Sequence, residues 1–162
     1  MTSAHDFTFP KLESGEPINL RDYAGKAILV VNVASACGFT PQYRDLEALY
    51  EARLGKGLVV IGVPCNDFGA QESAPESEIR EFCSNSYHVT FPMTGKVEIV
   101  AKDRRHPFYR WVAAELGDGA LPRWNFHKYL IGKDGAQVET FPSKAAPLGP
   151  TMLEAIDKAL SA

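Results

Sequence analysis

Two runs set the frame of the chain. Ala27-Ile28-Leu29-Val30-Val31-Asn32-Val33 and Leu58-Val59-Val60-Ile61-Gly62-Val63 are almost unbroken in apolar, mostly β-branched residues, the pattern of strands covered on both faces. Between them Leu46, Leu49, Tyr50 and Leu54 recur at helical spacing, with Thr40 placed to cap and Pro41 suited to a first turn, so a helix is predicted over 41–54. Strand, helix and strand of these lengths make a βαβ unit with the two strands parallel. A second helix opens at Pro75-Glu76 with acids in its first turn and Ile79, Phe82 and Cys83 on one face, fading before Thr90. Residues 96–100 read as a further strand, and Phe108, Trp111, Val112 and Leu116 as a third helix. Residues 128–131 and 137–140 flank Gly132-Lys133-Asp134-Gly135, a hairpin signal. Leu153, Ile156 and Leu160 mark a last helix entered through Pro150. At the other end, Phe7-Thr8-Phe9 and residues 16–20 around the Gly15 turn suggest a short N-terminal hairpin.

With 162 residues, 45% of them hydrophobic, the chain suits one domain spanning 1–162. There is no internal repeat, low-complexity stretch or linker. The formal charge of −3 supplies no positive field for nucleic acid. The basic cluster Lys102-Asp103-Arg104-Arg105-His106 is broken by an acid and reads as a solvated loop leading into a helix. No apolar run approaches bilayer length, so membrane insertion is not expected, and residues 1–7 carry neither the basic nor the apolar region of a signal peptide. Three cysteines do not look like a secreted disulfide framework, which points to the cytoplasm.

Chemistry concentrates at Asn32-Val33-Ala34-Ser35-Ala36-Cys37-Gly38-Phe39-Thr40, where a cysteine passes from the end of a buried strand to the start of a helix. Unsatisfied N–H groups and the positive end of the helix dipole favour a thiolate there. Two further segments, Pro64-Cys65-Asn66-Asp67-Phe68-Gly69-Ala70-Gln71-Glu72 and Arg123-Trp124-Asn125-Phe126, complete a constellation. Together the three blocks resemble the signatures of the glutathione peroxidase family in its cysteine form, and the resemblance runs from about Phe7 to the final helix. It implies a thioredoxin-like α/β sandwich, a central mixed sheet flanked by helices, as does the element order. It also implies a peroxidase acting on hydrogen peroxide and organic, including lipid, hydroperoxides. Cys37 matches the peroxidatic cysteine, and Gln71, Trp124 and Asn125 match the polar partners of its sulfur. All three are neutral donors, which stabilise S⁻ and a departing RO⁻ without competing as bases. The chain departs from the family's wording at Asp67, where glutamine is common, and at Ser73-Ala74, where Pro-Gly is usual. A carboxylate at Asp67 opposes a thiolate if it points at the sulfur and does nothing if it faces solvent. Pro92 resembles the cis-proline site of thioredoxin folds.

A sulfenic acid on Cys37 must be resolved before it oxidises further. The Phe82-Cys83 pair resembles the resolving site of the thioredoxin-dependent branch, which implies a Cys37–Cys83 disulfide recycled by thioredoxin, with glutathione the lesser reductant. A cysteine simply packed beside Ile79 and Phe82 fits the spacing equally. Cys65 competes, though the family pattern treats it as nonessential. No cofactor is implied, and the cysteines and histidines lack metal-ligand spacing. Residues 100–107 bridge the third strand and helix without the extra segment of tetrameric members, implying a monomer. Two rival readings use the same cysteine: a redox relay passing Cys37 oxidation to a partner, and a Cys-His acyl hydrolase built on Cys37 and His127.

Overall fold

The computed structural model describes residues 2–162. Strands β1 (Thr8–Pro10) and β2 (Pro17–Asn19) pair antiparallel as the N-terminal hairpin. The main sheet runs β4-β3-β5-β6, built from β3 (Ala27–Val33), β4 (Leu58–Pro64), β5 (Lys128–Ile131) and β6 (Val138–Phe141). β3 and β4 are parallel, whereas β5 pairs antiparallel with both β3 and β6. The sheet is therefore mixed, and the architecture is the thioredoxin-like α/β sandwich that the element order implied. The helices are α1 (Gln42–Arg53), α2 (Glu76–Tyr87), α3 (Pro107–Leu116) and α4 (Pro150–Ser161).

Every residue of β3 and β4 is buried, which is why both read as continuous apolar runs. Their alternation divides the core in two. Leu29, Val31, Val33 and Val60 pack with Leu46 and Leu49 of α1, Ile79 and Cys83 of α2, and Met152 and Ile156 of α4. Ile28, Val30, Val59 and Ile61 point the other way, against Phe9, Ile18, and Phe108, Trp111 and Val112 of α3. The register Val33↔Pro64 brings the carboxyl ends of both central strands to one edge, where ligands and chemistry gather in open α/β sheets.

Two local expectations change, and the isomer before Pro92, which the sequence leaves open, is fixed. Residues 96–100 form no strand, only isolated bridges Cys65↔Val97 and Glu98↔Arg105. The Asp67 carboxylate takes the Ile99 and Val100 amides, at 2.6 and 3.0 Å, which a ladder would need. The peptide bond before Pro92 is trans. Its segment instead presses against β4 through the bridge Gly62↔Met93. A Cβ on Gly62 would press on the Met93 sulfur and the Phe91 ring, which glycine avoids. Finally, the Thr40 side chain does not cap α1, which begins one residue after Pro41 without a side-chain cap.

Candidate active site

Thr40 serves the cysteine turn rather than the helix. Its Oγ1 donates to the Ala34 carbonyl at 2.8 Å and accepts the Cys37 amide at 2.9 Å, and its own amide donates to the Cys37 carbonyl at 3.0 Å. These bonds hold a tight bend between β3 and α1. Within it the Phe39 amide donates to Cys37 Sγ at 3.3 Å, so a backbone dipole is aimed at the sulfur. Cys37 is 8% exposed.

The loop after β4 comes to the same edge. The Ala36 amide donates to the Gln71 carbonyl at 3.1 Å, tying this loop to the cysteine turn. Gly69 and Ala70 both adopt positive φ, +75° and +52°. At Gly69 an added Cβ would lie 2.7 Å from the Trp124 indole, so the ring sits directly on the glycine backbone. The third segment is locked to β3 by one residue, because Asn32 Nδ2 donates to the Trp124 carbonyl at 3.0 Å and the Asn32 carbonyl accepts the Phe126 amide at 2.6 Å. Phe126 takes a left-handed φ of +65° to turn back into β5.

Of the predicted partners, Gln71 and Asn125 meet directly. Asn125 Nδ2 donates to Gln71 Oε1 at 3.0 Å and to the Phe68 carbonyl at 3.2 Å. With its oxygen engaged by Asn125, Gln71 has its NH₂ left to donate. Trp124 lies edge-on to Phe68, with centroids 6.4 Å apart, and is 37% exposed. None of the three hydrogen-bonds to Cys37 Sγ, whose recorded hydrogen bond comes from Phe39. In the resting site the sulfur takes one backbone donor, while the Asn125 NH₂ is shared between Gln71 and Phe68.

The remaining cysteines part company. All three thiols are free. Cys83 is fully buried in the same apolar cluster as Cys37, and burial pushes its thiol up to about 11, partly offset by the Tyr43 hydroxyl beside it. Cys65 lies in the cluster on the opposite face of the sheet, where burial pushes its thiol up to about 12. Asp67 is exposed to solvent, and its carboxylate accepts the backbone amides of 99 and 100. His127 makes its hydrogen bond to Thr140 Oγ1 at 2.6 Å, and burial, with Lys128 adding to it, lowers its pKa to about 4. The Cys-His dyad of the hydrolase reading does not form.

Two buried groups escaped the sequence reading. Glu72 is 1% exposed and its carboxyl finds no geometrically good hydrogen bond. Burial raises its pKa, and Ser35 and Lys96 counteract the rise. Lys128 is fully buried at the head of β5, its Nζ donating to the Ser143 and Ala145 carbonyls at 2.9 and 2.7 Å. Neither residue type signals burial, because charged side chains almost always face water. Among the described residues no group of His, Cys, Asp and Glu could hold a metal ion, and no helix is long and apolar enough to cross a membrane.

Comparison with known proteins agrees with this geometry. The family model described as glutathione peroxidase matches residues 5–113. The chain belongs to the glutathione peroxidase family. Within that family, the hydroperoxy fatty acid reductase gpx1 of Synechocystis is 43% identical over 141 residues, covering 82% of this chain and 83% of the relative. The thioredoxin/glutathione peroxidase BtuE of Escherichia coli is 36% identical, covering 91% and 92%. The crystal structure titled Trgpx in apo form superposes with a TM-score of 0.78 at 36% identity, covering 99% of this chain and 97% of that one. Membership makes this glutathione peroxidase a thiol-dependent hydroperoxide reductase. It also leaves each residue's role to be argued from the site.

Proposed function

We propose that Cys37 is the nucleophile and that Cys83 resolves it. The observation that carries this reading is the placement of the Cys37 sulfur on the Phe39 amide, in a turn tied through Ala36 to the Gln71–Asn125 pair. The Cys37 thiolate attacks the distal oxygen of a hydroperoxide. The S–O bond forms as the O–O bond breaks, and RO⁻ takes a proton to leave as an alcohol, or as water from hydrogen peroxide. Gln71 NH₂ and the Trp124 indole N–H stabilise the departing oxyanion, and Asn125 orients Gln71.

Cys83 then attacks the sulfenic sulfur. The S–S bond forms, the S–O bond breaks, and hydroxide leaves with the thiol proton as water. Its place in the same apolar cluster as Cys37 supports Cys83 over Cys65, which the sheet separates from the site. The dithiol of thioredoxin reduces the disulfide, becoming a disulfide itself and restoring both thiols. The name of the E. coli relative supports this donor, and a reducing compartment such as the cytoplasm suits three free thiols.

One equivalent of peroxide followed by intact mass and peptide mapping tests the scheme. We expect a Cys37–Cys83 disulfide in the wild type and a dimedone-trappable sulfenic acid at Cys37 in Cys83→Ser. A Cys37–Cys65 disulfide, or peroxide consumption by Cys37→Ser, would overturn it.

A further inference from the structure

Glu72 is a buried ionisable group that the peroxide chemistry leaves unused. The chain around it is pinned on both sides. The Gln71 carbonyl accepts the Ala36 amide at 3.1 Å, the Glu72 amide donates to Asn66 Oδ1 at 2.9 Å, and Lys96 Nζ reaches the Glu72 carbonyl at 3.5 Å. Its backbone thus serves the loop and the cysteine turn, while its side chain is enclosed, the residue being 1% exposed. Both carboxyl oxygens lack a hydrogen-bond partner of good geometry among the described residues, as do Ser35 Oγ and the Tyr43 hydroxyl. A carboxylate with a purely structural task binds backbone amides, as Glu47 does with those of Thr90 and Phe91 at 2.8 and 3.3 Å. Glu72 does not, and leaving such a group unpaired in the interior is costly.

Its neighbours belong to the second half of the reaction. Ser35, two residues before Cys37, lies beside the carboxyl with its hydroxyl and amide. Cys83 and Tyr43 both feel its charge, and the Tyr43 hydroxyl lies beside the Cys83 thiol. Tyr43, Cys83 and Cys37 share one buried cluster. The carboxyl therefore bridges the turn that carries the nucleophile and the helix that carries the resolving thiol. Cys83 needs such a group. Burial pushes its thiol up to about 11, so only about one in ten thousand is ionised at pH 7, and the neutral thiol is a poor nucleophile. The other titratable or charged groups facing this place are Tyr43 of α1, Arg80 of α2 and Lys96. Arg80 and Lys96 are donors only, and burial raises the Tyr43 hydroxyl well above its ordinary value, which leaves the Glu72 carboxylate as the acceptor.

We propose that Glu72 is the proton acceptor for Cys83 in the resolving step. As the Cys83 sulfur attacks the sulfenic sulfur of Cys37, its proton passes to the Glu72 carboxylate and from there to the departing hydroxide, which leaves as water. The S–S bond forms and the S–O bond breaks. Cys83 is oxidised, the Cys37 sulfur is reduced from sulfenic acid to disulfide, and Glu72 ends in the state in which it began. Transfer in the course of the attack avoids a free buried thiolate. A Cys83 that leaves α2 for the Cys37 turn moves toward the loop holding this carboxyl, because Gln71 is bonded to Ala36 beside Cys37. The inference rests on Cys83 being the resolving cysteine and adds where its proton goes.

The test measures two rates in one preparation after one equivalent of hydrogen peroxide. Sulfenic acid formation is followed by tryptophan fluorescence, and disulfide formation by acid quench, thiol alkylation and mass. In the nearly isosteric Glu72→Gln, the ratio of the second rate to the first should fall about a hundredfold, the lower end of what a positioned base contributes. Because the readout is a ratio, partial misfolding does not imitate it. The pH profile separates proton transfer from mere support. Wild-type disulfide formation should level off once the carboxyl has ionised, at a pH above the ordinary carboxylate range because burial raises it. In Glu72→Gln it should instead climb about tenfold per pH unit across neutrality, tracking free thiolate, and Glu72→Asp should restore a plateau at a lower rate. An unchanged ratio and plateau in Glu72→Gln would overturn the proposal. So would an equal fall in both rates, which would make Glu72 a support of the cysteine turn. Absence of a Cys37–Cys83 disulfide in the wild type would instead sink the resolving role on which the proposal rests.

Discussion

A single hydrogen bond organises the donors of the site. Asn125 Nδ2 on Gln71 Oε1 decides which way the glutamine amide faces, and so which of its atoms a peroxide meets. Asn125→Ala frees that amide to rotate and leaves the buried Phe68 carbonyl without its partner. We expect the rate of Cys37 oxidation, read by stopped-flow tryptophan fluorescence, to fall about a hundredfold, as when an oxyanion donor is lost. Trp124→Phe keeps most of the ring over Gly69 while deleting the N–H, and should slow the same step. Wild-type oxidation rates in both variants would show that Phe39 and the turn suffice. At this scale residue type alone misled twice. Asp67 was legible only as a carboxylate near the site, yet its partners are backbone amides 32 and 33 residues away. Thr40 was legible as a helix cap, yet it spends its hydroxyl on Ala34 and Cys37.

Among the elements, α2 is the one built to come apart. It closes at His88, a non-glycine residue in the left-handed region with φ +53°, which costs about 1–2 kcal/mol. Both closing amides, His88 and Val89, converge on the carbonyl of Cys83 itself. Ser84, Asn85 and Ser86 add little helix propensity to that last turn. A disulfide needs the two Cα atoms within about 7 Å and converging Cβ vectors, so packing Cys83 among Ile79 and Tyr43 favours unwinding before bonding. Hydrogen exchange after peroxide treatment should lose protection across residues 76–88. His88→Gly relieves the backbone strain, and should stabilise the reduced protein by about 0.5–1 kcal/mol while slowing disulfide formation. Disulfide formation at the wild-type rate in a stabilised His88→Gly protein would remove unwinding from the mechanism. The helix itself was legible from Pro75 onward, since acids and apolar spacing are local signals. Its strained ending was not, because a left-handed closure at a residue other than glycine leaves no residue-type signal.

Across the whole molecule, the buried thiols predict how stability depends on alkali. Cys83 and Cys65 move from 9.0 to about 11 and about 12 on folding. Above pH 9 the unfolded chain therefore releases protons that the folded chain still holds. Fewer protons on the unfolded state means that stability falls as pH rises. Urea denaturation should lose on the order of several kcal/mol between about pH 8 and about pH 11. Buried Tyr43 and Tyr109, both raised by desolvation, act in the same direction. Cys65→Ala, weaker at neutral pH through its lost side chain, should show a shallower alkaline decline. An unchanged slope would mean that Cys65 ionises as freely in the fold as out of it.

Periodicity and local chemistry were enough to determine the strands β3 and β4, the four helices, both hairpins and the three segments that carry the site. Each rests on interactions within a few residues, or on burial so complete that it stamps every position, as in Ala27–Val33. Tertiary structure alone decided the rest. The bridges at 96–100 fail to become a strand because Asp67 claims their amides. Cys83 shares a core with Cys37 while Cys65 does not, because alternate side chains of one sheet face opposite layers. Lys128 and Glu72 are buried because the space around them closes from distant segments, and no local pattern in a sequence records which side of a sheet those segments will cover.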